Sequence, residues 1–593
     1  MKLKHLYMLG AVALMTASCN EDRFLDLKPQ GSLNEDIMTS TEGADLLVNA
    51  AYAALGGPEG QSWSVWCHPT SNWTYGEVRS DNAYKGGGGV GDLNEVHRME
   101  TFDMDATNGF LDSKWYHLYC SVQRCNSALR VLNAATDEQV NGRVSRIAEM
   151  KVLRAHYYFE LSRLFNKIPY FDENVEISQY PDIPNNEFTR DEILSMLAKE
   201  MLDAAEQLPA SQPEVGRIHK YIALAYAAKI KLYQAYQQDE ITHAVTSINK
   251  ELLREVVSLC DQVTASNRYG LLDDFQGLDL VTNENGKESV FAIQYSMNDG
   301  TESAGRINWS NLLNSPGGSP YGGDGFFLPS QDLINAYQTD ANGLPDFNYQ
   351  SKSDYSWAVL NNGVYTLQNT TPNVDPRLDF VVGRPTITWK TYPDKPCEGW
   401  VRDKDTYGYN CAKRFWVSPE SSDMFNGWPW GASQLNWQII RYADILLWKA
   451  EALIELNEGN GLETARDLIN QIRNRARNSA YVKDFNDHSK YAANYLVNPY
   501  PADVWNQDYA RQALRWETRL EKALEGERFF DLVRWGIVET TMNKYITAES
   551  DNRIYYANAH FTGGKDEYYP VPNNQYGFSG GKYVQNPGYA PFN

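Results

Sequence analysis

Paired amphipathic helices constrain the fold of this chain more than any other feature. Residues 189–208, TRDEILSMLAKEMLDAAEQL, set Thr189 and Glu192 at capping-box spacing and then place Ile193, Leu197, Met201, Ala204 and Leu208 on one stripe. Pro209 and Pro213 end that helix, because proline has no N–H to continue it. Residues 217–236, RIHKYIALAYAAKIKLYQAY, form a second helix whose alanines let a neighbour approach closely. A single unit of this kind cannot bury its apolar stripe, whereas a stack of pairs can. Residues 114–133 with 143–166, and 438–457 with 462–477, repeat the arrangement. The expected fold class is mainly α: tetratricopeptide-like helical repeats over about 33–265 and 438–536.

Between about 266 and 437 the texture changes to Gly, Pro, Asn, Asp and aromatics, as in SPGGSPYGGDGFFLP and FNGWPWGAS. Such segments read as loops and short hairpins. Strands are expected at ESVFAIQYS and FVVGRPTITW. Helices flank this loop-rich insert on both sides, so residues 19–593 are expected as one intertwined domain. The helices are expected to end near Trp535. The Tyr-, Gly- and Pro-rich tail, 537–593, is expected to wrap the helical body.

The N-terminus carries an address. Lys2 and Lys4 precede an apolar run from Leu6 to Met15, and Ala17 and Ser18 lead into Cys19. That order is a secretory signal, too short for a permanent membrane span. The thiol of Cys19 can take a diacylglycerol, so 1–18 reads as a lipoprotein signal peptide with lipidation at Cys19. Thr16 stands where Leu is usual in such leaders. The formal charge is −22, or −24 once Lys2 and Lys4 leave with the leader. That charge repels phosphate backbones and argues against nucleic acid as a partner. Acidic glycans are disfavoured too, unless a local basic patch intervenes. The six cysteines after Cys19 lack the spacing of a disulfide-built fold, and no CxxC or HExxH suggests zinc. Acidic loops leave a structural calcium open, without EF-hand spacing.

Aromatics make up 13% of the chain, with 38 Tyr and 16 Trp, many of them in polar, Gly-rich surroundings. Aromatic faces beside polar side chains suit ligands with apolar C–H faces and hydroxyl edges, which describes sugars.

A set of ordered blocks runs nearly the whole length: FLDLKP at 24–29, WYHLYCSVQRCNSAL at 115–129 and AEMKVLRAHYYFELSRLFNKIPY at 148–170. IRYADILLWKAEALIELN at 440–457 with LINQIRNRA at 468–476, WETRLEKALEGERFFDLVRWG at 516–536, and the terminal YYPVPNNQ and QNPGY complete the set. Together these blocks resemble the SusD/RagB family of glycan-binding outer-membrane lipoproteins of Bacteroidetes. Glu21 and Asp22 after the lipidated Cys resemble the surface-export signal of such lipoproteins. These blocks read as scaffold. Arg441 with Asp444, and Glu527, Arg528 and Asp531, are expected as buried or half-buried ion pairs holding helices together, and Trp535 as a core or interface anchor. The resemblance implies a shallow glycan site built from loops on one face, and a SusC-type TonB-dependent transporter as partner.

Candidate ligand residues come from the loops. Residues 63–84 hold Trp63, Trp66, Trp73, Tyr75 and Tyr84 beside Asn72, Asp81 and Asn82. Flat rings there could stack a sugar while the polar groups bind its hydroxyls. In the insert, Trp309, Tyr321, Asp324, Trp389, Trp428 and Trp430 stand in loop contexts, and Arg377 could fork onto vicinal hydroxyls. The set carried forward is Asn72, Trp73, Asp81, Tyr84, Trp309, Tyr321, Arg377, Trp389 and Trp430.

The expected function is capture of an oligo- or polysaccharide at the cell surface for delivery to the transporter, without catalysis. Neutral plant-type glycans are favoured, and three segments (SDNAYKGG, ESVFAIQYSMNDGT, NVDPRL) look closest to fructan-binding members. Fructans and hemicelluloses both stay open. A peptide-capturing lipoprotein is the alternative. A secreted glycoside hydrolase would need two positioned carboxylates, and no segment places acids at recognisable strand ends.

Overall fold

The computed structural model describes residues 39–57, 66–67, 69–300, 306–318, 320–355, 358–361, 364–367, 372–392 and 399–592, with 358–361 and 364–367 as backbone alone. The leader, Cys19, FLDLKP, Trp63 and Cys397 lie outside the described residues.

The helical pattern is realised as one continuous stack. Helix α1 (Thr41–Ala53) packs on α2 (Gly109–Ala134), then come α3 (Arg143–Phe165), α4 (Arg190–Gln207), α5 (Lys220–Ala235) and α6 (Lys250–Ala265), each against the one before. Thr189 and Glu192 form the expected capping box at the start of α4, and Asn249 caps α6 by accepting from the N–H groups of Glu251 and Leu252. In α5 the buried Ala223, Ala225, Ala227 and Ala228 allow packing on both sides at once, with α4 on one flank and α6 on the other.

The next helix in the stack is not the next in sequence. Helix α7 (Tyr442–Leu456) packs directly on α6, with α8 (Gly461–Asn478) and α9 (Gln507–Glu521) behind it. The insert is therefore looped out between two neighbouring helices. Its ends are clamped where strand β2 (Ser289–Ile293) pairs antiparallel with β4 (Trp437–Arg441), Ile293 opposite Trp437. Strand β1 (Ala83–Gly86) pairs with β3 (Phe326–Pro329) and ties the segment before α2 to the insert. The strand expected at ESVFAIQYS is present. FVVGRPTITW is not one strand: Phe380 and Val381 end a helical turn, Arg377–Val381, Val382–Gly383 form a two-residue strand, and Ile387 and Trp389 make isolated bridges to Asp484 and Tyr392.

Beneath the clamp lies a buried charge network. Arg441 contacts Glu288 at 3.1 Å and Glu521 at 2.6 Å, and its Nε lies 3.0 Å from Glu525. Arg475 joins Glu288 and Glu521, while Arg473 and Arg377 share Glu517. Each charge is out of water, so each needs partners on several sides to offset its desolvation. The network joins β4, α8, α9 and the insert into one unit.

The helices do not end near Trp535: Val538–Glu549 is helical. Beyond it the tail crosses α3 and satisfies carbonyls that a helix end leaves open. The N–H of Tyr569 donates to Leu164 O at 2.9 Å, and Asn586 Nδ2 donates to Phe165 O at 2.7 Å. Of the ion pairs read from sequence, Glu527 joins Arg163 and Lys229, Arg528 joins Asp81, and Asp531 joins Arg534, buried or half-buried, whereas Asp444 pairs with Lys522 and only accepts the backbone N–H of Arg441. Trp535 donates from Nε1 to Glu451 at 2.9 Å. Cys67, Cys120, Cys125, Cys260 and Cys411 are free thiols. No helix among the described residues is long and apolar enough to cross a membrane.

Candidate functional site

Two loops of the insert build an aromatic platform. Asn308 starts a short turn, Trp309–Asn311, by accepting from the Ser310 N–H at 3.0 Å. The same residue reaches the second loop, its N–H donating to Ser433 O and its Nδ2 to Leu435 O at 2.7 Å. That second loop is a small hairpin, held by the Met424–Ser433 bridge and by Phe425 N–H donating to Ala432 O. Gly431 lets it sit close to the first loop. With φ +73°, a Cβ there would lie 2.7 Å from the Ser315 side chain. At the tip, Trp428 and Trp430 are 47% and 46% exposed, and the Trp309 ring meets Trp428 edge-on at 5.8 Å.

Trp309 also walls a groove of about 470 Å³ with Tyr52, Arg217, Gln294, Tyr295 and Arg306. The far wall is rigid, because Arg217 grips Glu149 with two nitrogens, at 2.8 and 3.1 Å, and Tyr52 donates to the same carboxylate at 2.6 Å. Leu55, Gly57 and Ile293 line both this groove and an inner cavity of about 80 Å³. Amid apolar liners the inner cavity carries a set of polar side chains, Asn72, Lys114, His117, Ser121, Arg124, Glu160 and Arg163 among them. Burial pulls Lys114 down to about 8, with Glu160 opposing the shift, and holds His117 and His156 near 4, hence neutral at pH 7.

The structure separates the residues expected at the site. Trp309 and Trp430 stand in the platform, and Asn72 lines the inner cavity. The others are core. Trp73 packs on Phe327 at 5.7 Å and Phe326 at 6.3 Å. Its whole segment is a buried π-helical turn, Trp73–Val78, pressed on the loop at Gly526. Asp81 is locked between Arg519 and Arg528, and Tyr84 donates to Glu549 at 2.6 Å. Trp389 donates from Nε1 to the Tyr321 hydroxyl, which donates to Val417 O, so both brace the insert from inside. Arg377 is fully buried between Asp375, Glu517 and Glu521. None of these six presents a face to a ligand, because each spends its polar atoms or ring on a neighbour across the chain.

The cavity liners on α2 were legible only as a pattern. Lys114, His117, Ser121 and Arg124 recur at three- to four-residue spacing and share one helix face. Polar residues on a face that packs inward are the signal that scaffold reading passes over. Among the described residues, no group of three or more His, Cys, Asp or Glu is placed to hold a metal ion.

The family model described as the SusD family matches residues 287–589, and one described as "Starch-binding associating with outer membrane" matches 23–232. The chain belongs to the SusD family. Among its SusD-family relatives, a SusD-like protein of Bacteroides ovatus is 22% identical over 552 residues, covering 89% of this chain and 82% of the relative. SusD-like protein P2 of Formosa agariphila is 24% identical over 574 residues, covering 95% and 96%. In structure the chain is similar to a SusD superfamily protein of Bacteroides vulgatus, with a TM-score of 0.67, 20% identity and coverage of 93% and 99%. It is also similar to surface glycan-binding protein A of Bacteroides thetaiotaomicron, solved with laminarihexaose, with a TM-score of 0.60, 20% identity and coverage of 92% and 99%. A laminarin-binding SusD-like protein gives a TM-score of 0.63 at 20% identity, covering 93% and 100%. These neighbours establish the SusD fold.

Proposed function

We propose that this SusD-family protein is a lipid-anchored glycan-binding protein of the outer-membrane surface. It captures an oligo- or polysaccharide and passes it, without catalysis, to a SusC-type TonB-dependent transporter. The observation that carries the reading is the platform of Trp309, Trp428 and Trp430 beside a groove with polar walls. Exposed tryptophans are costly to leave in water unless a ligand covers them, and sugar rings offer matching C–H faces. Relatives of the same fold that bind laminarin and laminarihexaose support it. Plant-type polysaccharides, fructans and hemicelluloses among them, are the ligand class we expect. Cys19 supplies the anchor.

The test is calorimetric titration of the mature chain, begun after Cys19, against laminarin, fructan and hemicellulose, with reducing ends assayed in parallel. Saturable binding to one glycan, no reducing ends released, and weakened binding in Trp309→Ala and Trp428→Ala are the expected results. Release of reducing ends would overturn the reading. So would binding that ignores both substitutions. Co-purification of the full lipoprotein with the transporter tests the delivery step.

A further inference from the structure

Among the described residues, Lys114 and Arg124 of the inner cavity have no ion-pair partner. Lys114 is almost fully buried, its Nζ donates among the described residues only to Pro69 O, at 3.0 Å, and it lies 5.1 Å above the Tyr75 ring. Arg124, one helix face along, donates to Ala50 O at 3.1 Å. Neither makes an ion pair among the described residues. The three glutamates lining the cavity are already engaged: Glu160 by Arg163 and Asn72, Glu527 by Arg163 and Lys229, and Glu525 by Arg441, Arg414 and Lys522. Asn72 is 96% buried, its Nδ2 donates to Glu160 at 2.8 Å, and its Oδ1 has no hydrogen-bond partner. The cavity thus offers two cations and one orphan acceptor. It exceeds several-fold the ~10–15 Å³ that one water needs. Half-buried Gly57, Thr70, His117 and Arg124 bring it to the surface, and Leu55, Gly57 and Ile293 join it to the tryptophan-walled groove.

We propose that this cavity receives the carboxylate edge of an acidic sugar residue, a uronate at the end or on a branch of the captured glycan. The carboxylate meets Lys114, Arg124 further along the same lining adds positive charge, and a ring hydroxyl donates to Asn72 Oδ1. This inference rests on the glycan-binding reading and narrows it, since fructans carry no carboxylate whereas uronate-bearing hemicelluloses do. The local cations answer the repulsion that a net charge of −22 imposes on acidic glycans.

The probes are D-glucuronate and D-galacturonate against D-glucose, D-galactose and acetate, followed by ligand-observed NMR and titration on the mature chain. Both uronates are expected to bind at least tenfold more tightly than the neutral sugars and acetate. Lys114→Met is expected to remove that preference. Wild type alone supplies a second readout. Lys114 shares the cavity with His117 and Arg124 on its own helix, with Glu160, Arg163 and His156 on α3, and with Lys522, Glu525 and Glu527 beyond α9, and it lies over the Tyr75 ring. As pH rises through about 8 it loses its charge, so uronate affinity falls about tenfold between pH 7 and 9. Equal affinity for uronate and neutral sugar, silence from both uronates, or a flat pH profile each overturns the proposal. Those outcomes leave the platform reading standing, because it is judged separately by polysaccharide binding in the tryptophan variants.

Discussion

Trp389 and Trp428 both stand in Gly- and Pro-rich surroundings, yet they do opposite things. Trp389 is fully buried, its ring 4.9 Å from Trp400 and its N–H on Tyr321, whereas nearly half of Trp428 faces solvent. Substitution should separate them. Trp389→Ala is expected to cost about 3–5 kcal/mol of stability, read as a lower melting temperature, by opening a core cavity. Trp428→Ala is expected to leave the melt unchanged and to weaken glycan binding by about 1 kcal/mol or more, roughly fivefold. Equal melting temperatures for the two variants would contradict this division. Trp389 ends an expected strand and Trp428 sits in a Gly- and Pro-rich loop, yet both read as candidates for the site, so the local sequence did not sort them. What sorts them is whether a neighbour from another part of the chain covers the ring.

At the scale of elements, the helices were legible because each carries its own boundary signals. Thr189 with Glu192, Asn249, and the prolines after α4 act within a few residues of themselves. The segment from Trp73 to Lys85 was misread for the converse reason. Its burial depends on the loop at Gly526, some 450 residues away, which accepts it only because both segments have glycine at the crossing. A Cβ on Gly76 would lie 1.9 Å from Gly526 O, and one on Gly526 would lie 2.0 Å from Ser71 O at φ +85°. Gly526→Ala therefore meets a steric clash and an unfavourable backbone angle together. We expect it to cost roughly 3 kcal/mol or more, measured by denaturant unfolding. A loss below ~1 kcal/mol would show that the crossing is looser than described.

Across the whole molecule, buried carboxylates hold the stack, the insert and the segment before α2 together, and they set an acid limit. Burial pushes Asp81 upward, but Arg519 and Arg528 outweigh it and hold the group at about 2. Glu521, against Arg475, Arg441 and Arg377, and Glu160, against Arg163, are held at about 2 in the same way. Folded values below the unfolded ones of about 4 mean that this stabilisation is full above about pH 4 and is lost as pH falls toward 2. Circular dichroism should show unfolding across that window. Glu521→Gln should move the onset upward and cost about 3–5 kcal/mol, because it leaves buried arginines without their partner. Unfolding that is complete above pH 5, or an unchanged onset in Glu521→Gln, would contradict the network's role.

The sequence alone determined the helical stack, the position of the loop-rich insert and the family, because periodicity, caps and ordered blocks are local and repeat along the chain. It set Trp309, Tyr321, Asp324, Trp389, Trp428 and Trp430 alike in loop contexts, without telling the exposed rings from the buried ones. Only the tertiary structure decided that Trp73, Tyr84, Tyr321, Arg377 and Trp389 face inward, and that α6 meets α7 across the insert. It alone brought Lys114, Arg124 and Asn72 to one cavity. Burial and charge pairing are properties of contacts between distant segments, and no short window of sequence contains both partners.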